Sequence, residues 1–284
     1  MWSVITKLEL KRLPEQPEES EQLRLQVCKV VLVAALGSFL AQLDATVINV
    51  SLSTLAVDLH SSLPVIQWVT SGYLLALSLM LPVNGWLVER IGAKRLYVIC
   101  FSGFTFASLL CTLSWSANSL MAFRVLQGMS GGLMAPMAQL MIARTAGKHF
   151  LRVVGYVALP VLPGPIVGPV VAGAILQHAS WRWLFLINLP IGMLAVALAA
   201  LFLPNEENIP ATIRKFDLAG FLLLSPGLVL FLYGSDHLWQ QAGIAALLIS
   251  VLLLAAFLRK ASKKRERALI DLQFFRPRSF PLPR

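Results

Sequence analysis

The chain has 284 residues, 57% of them hydrophobic and 13% charged, with a mean hydropathy of +0.73 and a formal net charge of +10. These proportions exclude a soluble globular domain and indicate an integral membrane protein. The basic residues fall in short runs between apolar stretches, so the positive balance is a topology signal and not a nucleic-acid footprint.

Residues 1–26 mix both charges with Pro14 and Pro17 and are expected to form a cytoplasmic segment. The apolar run after them is too long for a signal-peptide core and has no small-residue cleavage pattern, so the first span is expected to stay in the mature protein. Crossing a bilayer core takes about 20 apolar residues. Eight windows satisfy this: 27–49, 65–88, 96–115, 119–143, 151–177, 183–203, 216–234 and 241–258. Their length and lack of sustained alternation predict helices, hence an all-α membrane protein. A loop and two further spans then occupy 204–258, and a basic tail 259–284.

Apart from Arg124 and Arg182, every lysine and arginine lies in the N-terminal segment, the tail, or the loops after spans 2, 4 and 6, counting Lys29 and Arg152 at the first turns of spans 1 and 5 with the segments they adjoin. Positive charge accumulates on the cytoplasmic side, which places both termini there and requires an even number of spans.

Arg124 lies inside span 4, where a cation costs at least about 2.5 kcal/mol and therefore faces a partner or a watery cavity. Asp44 is the one acidic residue well inside a span. Each lies about five residues from the outer end of its span, roughly 7–8 Å deep at about 1.5 Å per residue. The pair is expected to meet, either as a functional site or only as a bolt between two helices.

In the loop after span 2, Gly85 is expected to let helix ends approach and Glu89 to cap or pair. Gly92 should supply a tight turn, while Arg90, Lys94 and Arg95 can bind acidic groups or lipid headgroups. In span 5, Gly164, Gly168 and Ala172 recur every four residues as one small face, beside Pro160, Pro163, Pro165 and Pro169. That face suits close helix packing or a gate. Span 6 opens with Trp181 and Trp183, both expected at the outer interface, and carries Asn188, read first as a helix-to-helix hydrogen bond and second as a ligand contact. Cys28, Cys100 and Cys111 have no metal-ligand or disulfide pattern and read as small apolar residues. His178 and His237 fall in outer loops and are weak signals for a metal or a proton relay. No Ser/His/Asp set, metal cluster or phosphate loop is present, which argues against an enzyme.

These stretches together resemble the major facilitator superfamily, specifically its drug:proton antiporter branch with fourteen spans. The stretch LDATVINVSL at 43–52 is similar to that branch's span 1 signature, with Ser51 and Ser53 replacing an alanine and a proline. Residues 85–96 resemble the superfamily loop motif, with Glu89 where aspartate is usual. RVLQG at 124–128 resembles the span 4 motif, and Gly155, Gly164, Gly168, Pro169 and Gly173 the span 5 antiporter motif, with Ala172 in place of a glycine. Residues 181–192 resemble the branch's span 6 signature.

The resemblance implies a six-helix N-terminal transporter half at 27–203 followed by two linker helices. The segment at 269–280 is similar to the approach to a further span, so a truncated or frameshifted product lacking the second half is expected. It further implies alternating access in the inner membrane, with Asp44 and Arg124 coupling proton entry to export of amphipathic drugs. Asn49, Tyr73, Gln127 and Gln139 are candidate linings of the substrate path. The implied partners are a small-molecule substrate, protons and the lipid bilayer, with a proton gradient and no cofactor. Uptake by the same fold, or a non-transporting membrane subunit or remnant, are the rival readings.

Overall fold

In the computed structural model, residues 17–147, 150–203 and 216–264 are described, with the side chains of 17–24, 159–161 and 262–264 excepted. Expectations for residues 1–16, Lys148, the 204–215 loop and the 265–284 tail lie outside the described residues. Within them the secondary structure is helical: α1 Pro17–Asp58, α2 Leu63–Met80, α3 Asn84–Ile91, α4 Ala93–Thr112, α5 Ala117–Ala146, α6 Phe150–Val161, α7 Gly164–His178, α8 Trp183–Leu186, α9 Asn188–Phe202, α10 Leu218–Asp236 and α11 Gln241–Lys264.

Among the described residues, six stretches are long and apolar enough to cross a membrane: Leu25–Asp58, Leu63–Met80, Ala93–Thr112, Trp183–Phe202, Leu218–Asp236 and Gln241–Ala261. The predicted fourth span is also continuous, as α5, but its polar and glycine content keeps it out of that set. Three predicted spans are interrupted where proline removes a backbone donor and crowds the preceding turn. Span 2 breaks at Pro82 into α2 and α3. Span 5 breaks beside Pro163 into α6 and α7, each too short to cross alone. In span 6, Pro190 cannot donate to the Leu186 carbonyl, and α8 and α9 meet there at a turn.

The predicted end of span 1 is also corrected. With 42 residues, α1 is about 60 Å long at 1.5 Å per residue, roughly twice a bilayer core. It ends only where His60 takes a positive φ of 49°, and its last turns bury Leu55 against Ile66 and Val69. Residue 49 is therefore no boundary, and the level of Asp44 is set by packing rather than by distance from a helix end.

The bundle is built on α5, which packs against α1, α2 and α4, while α9 closes over α1 and α4, and α7 lies on α1. Its glycines permit this. A Cβ on Gly128 would overlap the Tyr73 carbonyl oxygen, and one on Gly132 would lie 2.5 Å from the Leu77 carbonyl oxygen and 2.8 Å from its Cα. This four-residue spacing of small residues is the geometry by which membrane helices come close. On α7 the buried residues are Gly164, Gly168 and Ala172, the small face read from the sequence, set against Gln42 and Thr46 of α1. The α10–α11 hairpin packs mainly on itself, with Ser250 Oγ donating to the Gly227 carbonyl at 2.8 Å. It touches the bundle through Trp68–Tyr233 and Trp86–Phe216 ring contacts.

The N-terminal start of α5 is held by Ser116, whose hydroxyl accepts from Ser119 N–H while the Ser119 hydroxyl accepts from Ser116 N–H, a reciprocal cap. Ser116→Ala is expected to lower stability by about 1 kcal/mol. Thermal melts of the detergent-solubilised protein read this, with Asn118→Ala, at an exposed position in the same turn, as the control. An unchanged midpoint in Ser116→Ala refutes the cap.

Candidate functional site

The apolar core of the bundle is split in two, apart from a small cluster in the α10–α11 hairpin. One cluster runs from Val30 to Leu40 on α1, with Tyr97, Phe101 and Phe104 of α4 and Leu133 to Ala146 on α5; the other holds Leu43, Val47, Ile48, Cys111, Leu120, Trp181 and Phe185. At their border sit the buried polar residues Asp44, Ser108, Arg124, Gln127 and Asn188. Four helices each supply part of this layer.

Asp44 of α1 is the acceptor at its centre. Its Oδ2 receives Arg124 Nη1 at 2.6 Å, and its Oδ1 receives Gln127 Nε2 at 3.0 Å and Asn188 Nδ2 at 2.8 Å. Arg124 and Gln127 lie three apart on α5, hence on one face. They are tied together by Nη1 donating to Gln127 Oε1 at 2.8 Å. From α4, Ser108 Oγ accepts from Gln127 Nε2 at 2.8 Å, and the Cys111 thiol donates to Gln127 Oε1 at 3.7 Å. The guanidinium of Arg124 rests on the Tyr73 ring of α2, 4.1 Å from its centroid, with Phe185 at 5.8 Å. Both Nη1 protons are therefore spent, while Nε and Nη2 have no hydrogen-bond partner among the described protein atoms.

Asp44 is 2% exposed and Arg124 0%, so this conformation seals the pair from both sides. Chemically the layer is a carboxylate surrounded by donors, able to hold one negative charge or to take one proton if the helices move.

The remaining candidates divide. Tyr73 and Gln127 are buried at the layer, where they face Arg124 and Asp44 in this conformation. Asn49 and Gln139 are exposed on α1 and α5 and do not join the layer. In the loop motif, Gly92 takes φ 87° between α3 and α4, the expected tight turn, and the Arg90 guanidinium sits 5.4 Å from the Trp86 ring centroid. Glu89 and Lys94 are half-buried and Arg95 is exposed. Gly85 is no close-approach site: a Cβ there meets nothing within 4 Å, and the same holds for Gly155 and Gly173 of the span 5 motif. Pro169 is exposed, inside α7. Trp181, expected at the interface, is instead 1% exposed and packs edge-on against Phe185 under the Arg182 guanidinium. The turn at α8 directs its ring inward. Trp183 is exposed.

Sequence reasoning missed Ser108 and the Gly128–Gly132 spacing. Ser108 and Cys111 are three apart on one face of an apolar helix, which was the available signal. Among the described residues no group of His, Cys, Asp and Glu is placed to hold a metal.

A family model described as Major Facilitator Superfamily matches residues 34–259. The chain belongs to the major facilitator superfamily. That bears out the resemblance drawn from the motifs and makes this a multi-pass membrane protein. Among curated superfamily relatives, the "Multidrug resistance protein B homolog" of Mycobacterium tuberculosis is 36% identical over 266 residues, covering 91% of this chain and 49% of the relative. The "Putative multidrug resistance protein MdtD" of Salmonella typhi is 36% identical over 258 residues, covering 88% of this chain and 54% of the relative. The chain thus spans about half the length of the curated relatives it matches.

Among solved structures, the proton:xylose symporter XylE aligns with a TM-score of 0.57 at 15% identity, over 88% of this chain and 56% of that one. A second, titled a D-xylose-proton symporter, aligns with a TM-score of 0.55 at 15% identity, over 84% and 69%. At that identity the likeness concerns the superfamily fold alone.

Proposed function

We propose that this chain works in proton-coupled export of amphipathic organic compounds across the cytoplasmic membrane, with both termini on the cytoplasmic side. The observation that carries the reading is the buried Asp44 carboxylate, held by Arg124 and two amides where four helices converge. Residues 27–203 act as the six-helix N-terminal half, with α10 and α11 as added spans. A proton taken up from outside neutralises Asp44 and weakens its hold on Arg124, which frees α1 and α5 to shift and release substrate; deprotonation restores the pair. Burial of both charges means the proton can enter only in another conformation, as alternating access requires. The multidrug-resistance names of the 36%-identical relatives support export of drugs. Uptake would use the same fold, and the xylose symporters support only that fold.

The experiment uses everted membrane vesicles containing the chain, with an acid interior and ethidium outside. Expected is accumulation that collapses with a protonophore and is lost in Asp44→Asn. Equal accumulation in Asp44→Asn removes the coupling role. No accumulation by the wild-type chain refutes transport by this chain on its own, and ethidium entry only into right-side-out vesicles favours uptake.

A further inference from the structure

As a carboxylate, Asp44 is matched by donors from every side. As an acid it would need an acceptor for its new O–H, and a donor cage provides none. The question is which neighbour can change from donor to acceptor without losing bonds of its own.

Gln127 cannot. Its Nε2 protons serve Asp44 and Ser108, and its Oε1 receives Arg124 and Cys111, so turning its amide breaks four contacts. The Ser108 hydroxyl is occupied as well, accepting from Gln127 and donating to the Phe104 carbonyl at 3.0 Å. Tyr73 offers Arg124 its ring face, and its hydroxyl points toward Gly131, one turn along α5 from Gln127. Arg124 has no acceptor at all.

Asn188 differs. Among the described residues its amide makes one bond, from Nδ2 to Asp44 Oδ1, and its buried Oδ1 has no donor. While Asp44 is a carboxylate the amide nitrogen must face it, because only the nitrogen can donate. The charged or titratable groups facing Asp44 are Arg124 of α5, Tyr73 of α2 and Cys111 of α4. Helices α8 and α9 carry no titratable side chain. His178 on α7, and Arg152 and Tyr156 on α6, are exposed away from the layer.

We propose that Asn188 is a positioning residue whose amide turns over with the protonation of Asp44. It donates through Nδ2 to the carboxylate; after about half a turn of the amide it accepts the acid's O–H through Oδ1. One O–H bond forms on Asp44 with a proton given up by hydronium of the outside solution, which is left as water, while Arg124 keeps its own protons and α9 stays tied to α1 in both states. This rests on the proton-coupling reading above.

The test is infrared difference spectroscopy between alkaline and acid pH on the full chain in lipid nanodiscs, without substrate or gradient. Expected is an acid carbonyl band absent in Asp44→Asn, which moves to higher frequency in Asn188→Leu because the O–H has lost its acceptor. In wild-type protein carrying 13C-asparagine, an amide carbonyl band should change in step with that acid band and stay constant in Asp44→Asn. This second measurement decides the matter if Asn188→Leu does not assemble. An acid band unmoved in Asn188→Leu, or an asparagine band indifferent to Asp44, overturns the role of Asn188 alone. Absence of any Asp44 acid band at every pH where the helices persist overturns the proton-coupling reading and this proposal with it.

Discussion

Arg124→Leu is expected to destabilise the folded bundle by about 3–5 kcal/mol, the usual consequence of breaking a buried ion pair from one side. The leucine leaves the Asp44 carboxylate with only two amide donors in an environment 2% exposed. It also strips Gln127 Oε1 of its strongest donor and Tyr73 of the guanidinium on its ring. Arg124→Lys should fall between, because an ammonium keeps the charge but cannot lie flat on Tyr73 while donating to both Asp44 and Gln127. The double variant Asp44→Leu with Arg124→Leu should recover part of the loss, since no unpaired charge then remains. Thermal unfolding of the wild type, both single leucine variants and the double variant in one detergent completes the cycle. Additive losses in the double variant would mean that the two charges are not coupled.

Gly132→Ala and Gly128→Ala form the second large effect. At Gly132 the new methyl would lie 2.5 Å from the Leu77 carbonyl oxygen and 3.0 Å from its carbon; at Gly128 it would overlap the Tyr73 carbonyl oxygen. These are backbone atoms, so no side chain can swing away and α2 must move off α5. Overpacking of this kind costs about 1–3 kcal/mol per site. Moving α2 also lifts Tyr73 from Arg124, so the damage reaches the polar layer. Gly155→Ala and Gly173→Ala are the controls: their added methyls meet nothing within 4 Å, and helix propensity favours alanine by about 1 kcal/mol. Melting temperatures that fall equally at all four positions would show that the loss is not due to the α2–α5 contact.

Much of the fold was legible without coordinates. Apolar length placed every predicted window on helix, and the only good acidic partner for Arg124 was the one it meets. The interruptions were legible in principle: Pro82 and Pro163 stand where a helix breaks and Pro190 three residues past the break at Ile187, and window counting passed over them because proline costs little in hydropathy. The length of α1 was less accessible, since its last turns are polar enough to read as a loop and become helical by burying Leu55 on α2.

What the chain's local chemistry determined by itself is that helices form, that they lie in lipid, and that an arginine inside one must find a carboxylate, because an unpaired charge there is too costly to leave. What only the tertiary structure decided is the company Asp44 keeps. Asn188 lies 144 positions away and Gln127 83, and whether their amides reach the same oxygen depends on how far each helix is rotated and how closely it packs. Glycines on α5 govern that approach by letting backbone touch backbone, and their four-residue spacing marks a close contact without naming the distant segment that makes it.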